Sequence, residues 1–274
     1  MKGRGHRRWL RTTLVVCAVL IAMVTATAAW LLFTGEDPRP VTVDEARQRT
    51  EGSTVSTSPT GGFGPPSGGV YLYRGTGTED TSFPPLSEEQ GPEMPATVIP
   101  DGAGCWRFRI DYNSHHWQDW RYCADESGIS TTGGRSFARR DFGSFTIDNT
   151  STFACEEPDV LLWAGMEVGE SRPGACVGTS TAVDGSTTSA GSTTYVGDDD
   201  IEVDGRTIRA RHLRYDRTLT GAQEGTERAD WWVDPSTMLL IRNEHDVSVD
   251  TEVGGLTVTY TEVARYDLTS LTPK

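Results

Sequence analysis

Alternation of apolar and polar positions dominates the chain beyond residue 69. In CWRFRIDYNSHHWQDWRYC, residues 105–123, Trp106, Phe108, Ile110 and Tyr112 alternate with Arg107, Arg109 and Asp111. A two-residue period is that of a strand with one buried face. A turn near Ser114 sets Trp106 opposite Tyr122, Phe108 opposite Trp120, Arg109 opposite Asp119 and Cys105 opposite Cys123. One hairpin then explains an aromatic face, a charge pairing and a cross-strand cysteine pair.

The C-terminal third follows the same rule. Asp204-Gly205 and Gly254-Gly255 are two-residue hairpin signals. They place Ile201 opposite Ile208 with Val203 on the same face, Val253 opposite Leu256, Val249 opposite Tyr260, His245 opposite Ala264 and Ile241 opposite Leu268. Asp234-Pro235-Ser236 turns the chain between these units. Strands are predicted over 201–203, 207–215, 226–233, 239–253 and 256–268, an antiparallel meander forming one curved sheet. Trp231 and Trp232 are adjacent, so one indole enters the core face and the other lies on the back. A four-residue turn after Val233 sends Trp232 inward, and a five-residue turn sends Trp231.

The N-terminal third has a different pattern. Residues 12–33, TTLVVCAVLIAMVTATAAWLLF, carry no charge and follow Lys2, Arg4, Arg7, Arg8 and Arg11. As a helix the run spans about 33 Å, enough to cross a bilayer core. The basic flank predicts a cytoplasmic segment at 1–11, one transmembrane helix at 12–33, and an extracytoplasmic remainder in the cell membrane. A cleaved signal peptide is the rival reading, because Ala26-Thr27-Ala28 has a small-residue cleavage pattern. Residues 34–69 read as a tether: GSTVSTSPTGGFGPPSGG has too little apolar content to bury, and Thr42 is a candidate N-cap for a short helix. The folded domain is expected at 70–271, ample for one core. The expected fold class is therefore all-β, mainly antiparallel, with few short helices, plus the N-terminal transmembrane helix.

Composition narrows the function. All 39 acidic residues follow the apolar run while five of the 25 Lys and Arg precede it, so the domain is more acidic than the chain's net charge of −14. Such a surface repels phosphate backbones and argues against nucleic acid as a partner. Beyond Cys17, four cysteines suit an oxidising compartment. Three pairings are open, and sequence distance favours Cys105 with Cys123 and Cys155 with Cys176. His115, His116, His212 and His245 show no HxH, HExxH or CxxC context, so neither a metal nor a cofactor is expected. Asp198-Asp199-Asp200 reads as a solvated turn rather than a calcium loop. No nucleophile elbow or phosphate loop is present, and no catalytic residue is assigned. Paired carboxylates would need spatial separations that a sequence does not contain.

The segment VDGRTIRARHLRYDRTLTGAQEGTERADWWVDPSTMLLIRNE resembles the repeat unit of the lipoprotein-carrier (LolA-like) superfamily, which includes envelope lipid-binding lipoproteins of GC-rich Gram-positive bacteria. The shared positions are Val203-Asp204-Gly205, Trp232, Asp234, Thr237, Leu240 and Arg242, with Met238 where a glycine is usual. The whole ectodomain also looks like uncharacterised single-pass envelope proteins of the same bacteria. The carrier resemblance implies a half-barrel around a hydrophobic cavity. Trp106, Phe108, Trp120, Tyr122, Val249, Val258 and Tyr260 would line it, and Trp231 and Trp232 are ligand-surface candidates. The sequence thus points to a membrane-anchored binding module for a lipid or other hydrophobic envelope ligand. A protein-interaction or sensing ectodomain is the alternative, and an envelope hydrolase would require acids or a histidine converging in a cleft.

Overall fold

The computed structural model describes residues 35–49 and 62–274. The apolar run at 12–33, expected to cross a membrane, lies outside these residues. Among the described residues no helix is long and apolar enough to do so. By packing, the chain divides into two units. One comprises Pro38–Arg139 with Asp148–Lys274. Of the other, the described residues are 35–37 and Arg140–Ile147.

The described chain contains one helix, α1 (Val43–Gln48), and thirteen strands: β1 (Gly69–Ser82), β2 (Pro85–Gln90), β3 (Glu93–Pro100), β4 (Cys105–Asp111), β5 (His116–Ala124), β6 (Gly128–Asp141), β7 (Thr146–Trp163), β8 (Ser171–Ser180), β9 (Ser186–Val203), β10 (Arg206–Gly221), β11 (Gln223–Val233), β12 (Leu240–Val253) and β13 (Leu256–Leu268). Strands β3 to β13 follow one another in space as in sequence. Strand β1 pairs with β3 over Gly69–Arg74 and with β2 over Gly77–Ser82 along one edge, and with β13 over Tyr73–Thr81 along the other. That last pairing closes the sheet into a 12-strand antiparallel barrel.

Closure corrects the expected curved meander or half-barrel. Local periodicity finds each hairpin, yet the edge of β13 is satisfied by a strand that starts the domain. Joining two open edges removes unpaired backbone groups from the surface. It also turns the apolar face of the meander into a barrel interior, where Tyr71, Tyr73, Phe108, Trp106, Leu213, Ile241 and Tyr266 share one core.

The hairpins keep their sequence-derived register. Cys105 lies opposite Cys123, Trp106 opposite Tyr122, Phe108 opposite Trp120, and Arg109 opposite Asp119. Ile201 faces Ile208, Val249 faces Tyr260, and Val253 faces Leu256. Asp204 and Gly205 both adopt positive φ, 51° and 71°, as a tight two-residue turn requires. Both disulfides form, Cys105–Cys123 and Cys155–Cys176. On the outer face the charge pairing differs from the direct opposition: Arg107 binds Asp119, and Arg109 donates to Asp111 at 2.8 Å.

Thr42 caps α1 with a full capping box, its side chain accepting from the Glu45 N–H while the Glu45 carboxylate accepts from Thr42 N–H at 2.8 Å. The helix packs on β1 and β3. Val70 and Leu72, opposite in phase to the core-facing Tyr71 and Tyr73, are buried there together with Ala46 and Val41. Both faces of β1 are thus covered, which explains its unbroken apolar run VYLY.

Candidate functional site

Trp231 and Trp232 resolve by register. Trp231 lies opposite Asn243 and Leu213, while Trp232 lies opposite Arg242 and His212, and a register shift at Trp232/Val233 absorbs the turn. Trp231 therefore faces inward, stacked on Tyr215 with centroids 4.5 Å apart. Trp232 stacks on His212 outside at 4.3 Å and donates its indole N–H to Asp199 Oδ2 at 2.7 Å. Met238, at the position where the resemblance has glycine, takes φ 59°, the left-handed conformation that glycine adopts without cost.

Many inward positions are apolar, and several of the charged exceptions fall in one row. Glu79 of β1 lies opposite Glu88 of β2 and Glu262 of β13. Glu262 lies opposite Val247, Val247 opposite Glu227, and Glu227 opposite Arg217. Directly opposed residues project from the same face of a sheet, so these side chains form a belt across β2, β1, β13, β12, β11 and β10. Glu79, Glu88, Glu262 and Arg217 are between 1% and 5% exposed. Buried charges require partners, and the barrel supplies them from distant strands.

Two histidines meet this belt. His116, at the start of β5, places Nδ1 2.6 Å from Glu79 Oε1 and 4.0 Å from Glu262 Oε1. His245 of β12 places Nε2 3.0 Å from Glu262 Oε1, and Asn243 Nδ2 lies 2.7 Å from its Nδ1. Gln90 Nε2 donates to both carboxylates, at 2.9 Å to Glu79 and 2.7 Å to Glu262. The Tyr260 hydroxyl lies 2.8 Å from Glu262 Oε2 and 3.2 Å from Glu79 Oε2. His115 sits 3.6 Å from Glu88. Further along the row, Arg217 donates to Asp159 of β7 at 2.6 Å, both side chains fully enclosed.

The electrostatics follow from this geometry. Burial pushes the Glu262 carboxyl up, but the charges of His245 and His116 and the hydrogen bonds from His245 and Gln90 outweigh it, and its net shift is downward. Burial pulls His245 down, and the adjacent Glu262 charge and hydrogen bond more than reverse that, so its net shift is upward. Glu227 is raised by burial, partly offset by His245 and Arg217. Glu227 is half-buried and lines a cavity.

That cavity has a volume of about 90 Å3. Trp106, Phe108, Trp120, Tyr122 and Trp231 form its aromatic wall, and Glu227, Asn243 and His245 its polar one. A wider trough of about 590 Å3 runs past Thr76, Thr78, Arg228, Asp246 and Arg265. Arg265 is there engaged by Glu244 at 3.0 Å, and the trough is less enclosed than the cavity, which has both aromatic and ionisable walls.

Five of the nine ligand candidates, Trp106, Phe108, Trp120, Tyr122 and Trp231, therefore come together around the cavity. Val249 is buried away from it, Val258 is half-buried, Tyr260 joins the glutamate cluster, and Trp232 is outside the barrel. Glu79, Gln90, Glu227 and Glu262 belong to no sequence motif, and His116 and His245, which lack any metal-ligand spacing, were not expected to be ligands. Their signal was a polar residue in phase with an apolar stripe: Glu262 between Tyr260 and Ala264, His245 between Asn243 and Val247, and Glu227 before Ala229 and Trp231. In comparisons with known proteins, no family model, no curated protein and no solved structure matches this chain.

Proposed function

We propose that the barrel is an extracytoplasmic binding module that takes a small ligand, or the end of a larger hydrophobic envelope ligand, into its interior. The observation that carries this reading is a cavity lined by Trp106, Phe108, Trp120, Tyr122 and Trp231 together with Glu227, Asn243 and His245. Apolar burial supplies affinity and a few placed polar groups supply orientation, the usual division in small-molecule sites. An amine or hydroxyl on an apolar body suits both kinds of side chain. The volume, about 90 Å3, is below the roughly 300 Å3 at which drug-sized ligand pockets begin. A whole acyl chain needs the barrel to widen. The two disulfides support an oxidising compartment.

The test is native mass spectrometry with organic extraction of the full-length chain, alongside tryptophan fluorescence titrated with short alkylamines. A saturable adduct and fluorescence change that Trp231→Ala abolishes supports the reading. A clean apo mass with no fluorescence response overturns it.

Exposed apolar side chains favour one second reading, an interaction ectodomain. Phe83, Val253 and Leu256 are 58%, 54% and 56% exposed at the β1–β2 and β12–β13 turns. These turns are neighbours, since Thr259 N–H donates to Ser82 Oγ at 2.8 Å. Exposed apolar side chains on neighbouring turns fit contact with another envelope component. Cross-linking that depends on Phe83 and Leu256 while leaving amine binding intact would favour it.

A further inference from the structure

Three side chains of the belt have the donor set of a metal centre. Glu79, His116 and Glu262 each present one ligand atom, all mutually within 4.8 Å, and all three residues are buried. A first-row divalent ion bound at about 2.1 Å in a tetrahedron has ligand atoms about 3.4 Å apart. The distances from His116 Nδ1 to the two Oε1 atoms, 2.6 Å and 4.0 Å, bracket that value.

The outer oxygens are already held. Tyr260 engages Glu79 Oε2 and Glu262 Oε2, while both Oε1 atoms face the Gln90 amide, that of Glu262 lying also 3.0 Å from His245 Nε2. The Gln90 amide nitrogen lies 2.9 Å from Glu79 Oε1, 2.7 Å from Glu262 Oε1 and 3.5 Å from His116 Nδ1, the place of a fourth ligand atom beside the three. Gln90 is 3% exposed, and its own Oε1 is buried with no hydrogen-bond partner. Rotating the amide by half a turn exchanges the two atoms, so the orphaned oxygen becomes a ligand beside the carboxylates.

We propose that Glu79, His116 and Glu262, completed by the Gln90 carbonyl oxygen, form a binding site for one divalent first-row transition-metal ion inside the barrel. One imidazole with carboxylate and amide oxygens suits zinc, manganese or iron, whereas calcium asks for six to eight oxygens. His245, on Glu262 and oriented by Asn243, is a positioning residue for the carboxylate. The proposed ligands differ from the cavity lining, since neither Glu79, His116 nor Glu262 lines the cavity, although His245 and Asn243 belong to both.

The experiment uses the full-length chain in detergent, stripped with chelator and titrated with Zn2+ and Co2+. We expect one equivalent of tightly bound ion, proton release on binding, and affinity at least 10-fold weaker in His116→Gln and Glu262→Gln but unchanged in His212→Gln, which alters a histidine outside the barrel. X-ray absorption of the wild-type zinc complex should show an all N/O shell near 2.0–2.1 Å with imidazole outer scattering, a readout that does not depend on a variant folding. Absence of stoichiometric binding, a shell without imidazole, or folded His116→Gln and Glu262→Gln variants that bind as tightly as wild type would each overturn the proposal.

Discussion

Replacing Arg217 with methionine tests the idea that the belt is held by specific buried partners rather than by general polarity. Arg217 and Asp159 are 1% and 0% exposed at their side chains and meet at 2.6 Å. The guanidinium also donates to the Asp216 carbonyl at 3.2 Å and lies 3.9 Å over the Tyr215 ring. Asp159 has less support: its Oδ1 is buried without a hydrogen-bond partner, and a Cβ on Gly174 would stand 1.9 Å from that oxygen. Glycine at 174 thus leaves room for the carboxylate. Arg217→Met removes the cation and strands a buried anion, which costs about 3–5 kcal/mol. For a domain of this size that corresponds to a fall in Tm of about 6–20 °C. Chemical denaturation followed by tryptophan fluorescence, with both disulfides intact, gives the number. Arg217→Met with Asp159→Leu should recover most of the loss, because an apolar pair of similar volume needs no counter-charge. A single variant costing less than about 1 kcal/mol, or a double variant no more stable than the single, would refute the reasoning.

Other consequences are more local. Glu45 is lowered to about 2, by the Arg39 guanidinium first and then the Thr42 backbone; a depressed acid contributes stability above its ordinary 4.5 and loses it as pH falls toward 2. Amide exchange at Ala46 should accelerate across that window while the barrel amides stay protected, and Thr42→Ala should cost the helix about 1 kcal/mol at neutral pH. Reducing Cys105–Cys123, whose positions are 18 residues apart, should cost about 3 kcal/mol on the chain-entropy model, measured with the Cys105→Ser, Cys123→Ser double variant. At Met238, glycine would relieve a left-handed residue worth about 1–2 kcal/mol but lose a buried side chain worth about 2–5 kcal/mol. Met238→Gly should therefore be net destabilising by denaturation, and Met238→Asn less strained than Met238→Ala.

The alternation of residues 105–123 was enough to place Trp106 against Tyr122 and Cys105 against Cys123, because a hairpin's register depends on a short turn and a period of two. The same holds for the Asp204-Gly205 and Gly254-Gly255 turns, whose positive φ angles are written in the residue types. Which tryptophan of the pair faces inward was undecided, since a register shift at Trp232/Val233 depends on how the whole loop from Asp234 to Leu239 packs. Barrel closure was equally out of reach. Glu79 meets Tyr260 across 181 residues, and no local pattern connects them.

The site divides along the same line. Four aromatic cavity residues, Trp106, Phe108, Trp120 and Tyr122, were legible as the apolar face of one hairpin, and Trp231 only as one of an undecided pair. The belt of Glu79, Glu262 and His116 was not, because its members come from three strands and form no motif along the chain. Sequence by itself determined the 105–123 hairpin, the C-terminal strands and most of their registers, and it favoured the two disulfides and a capped helix that form, all of which rest on contacts between near neighbours. Tertiary structure alone decided that the sheet closes and that glutamates scattered over nearly two hundred residues share one buried level. The physical reason is that a charge on an apolar stripe is a local inconsistency, and only the closed barrel brings it the partners that make burial tolerable.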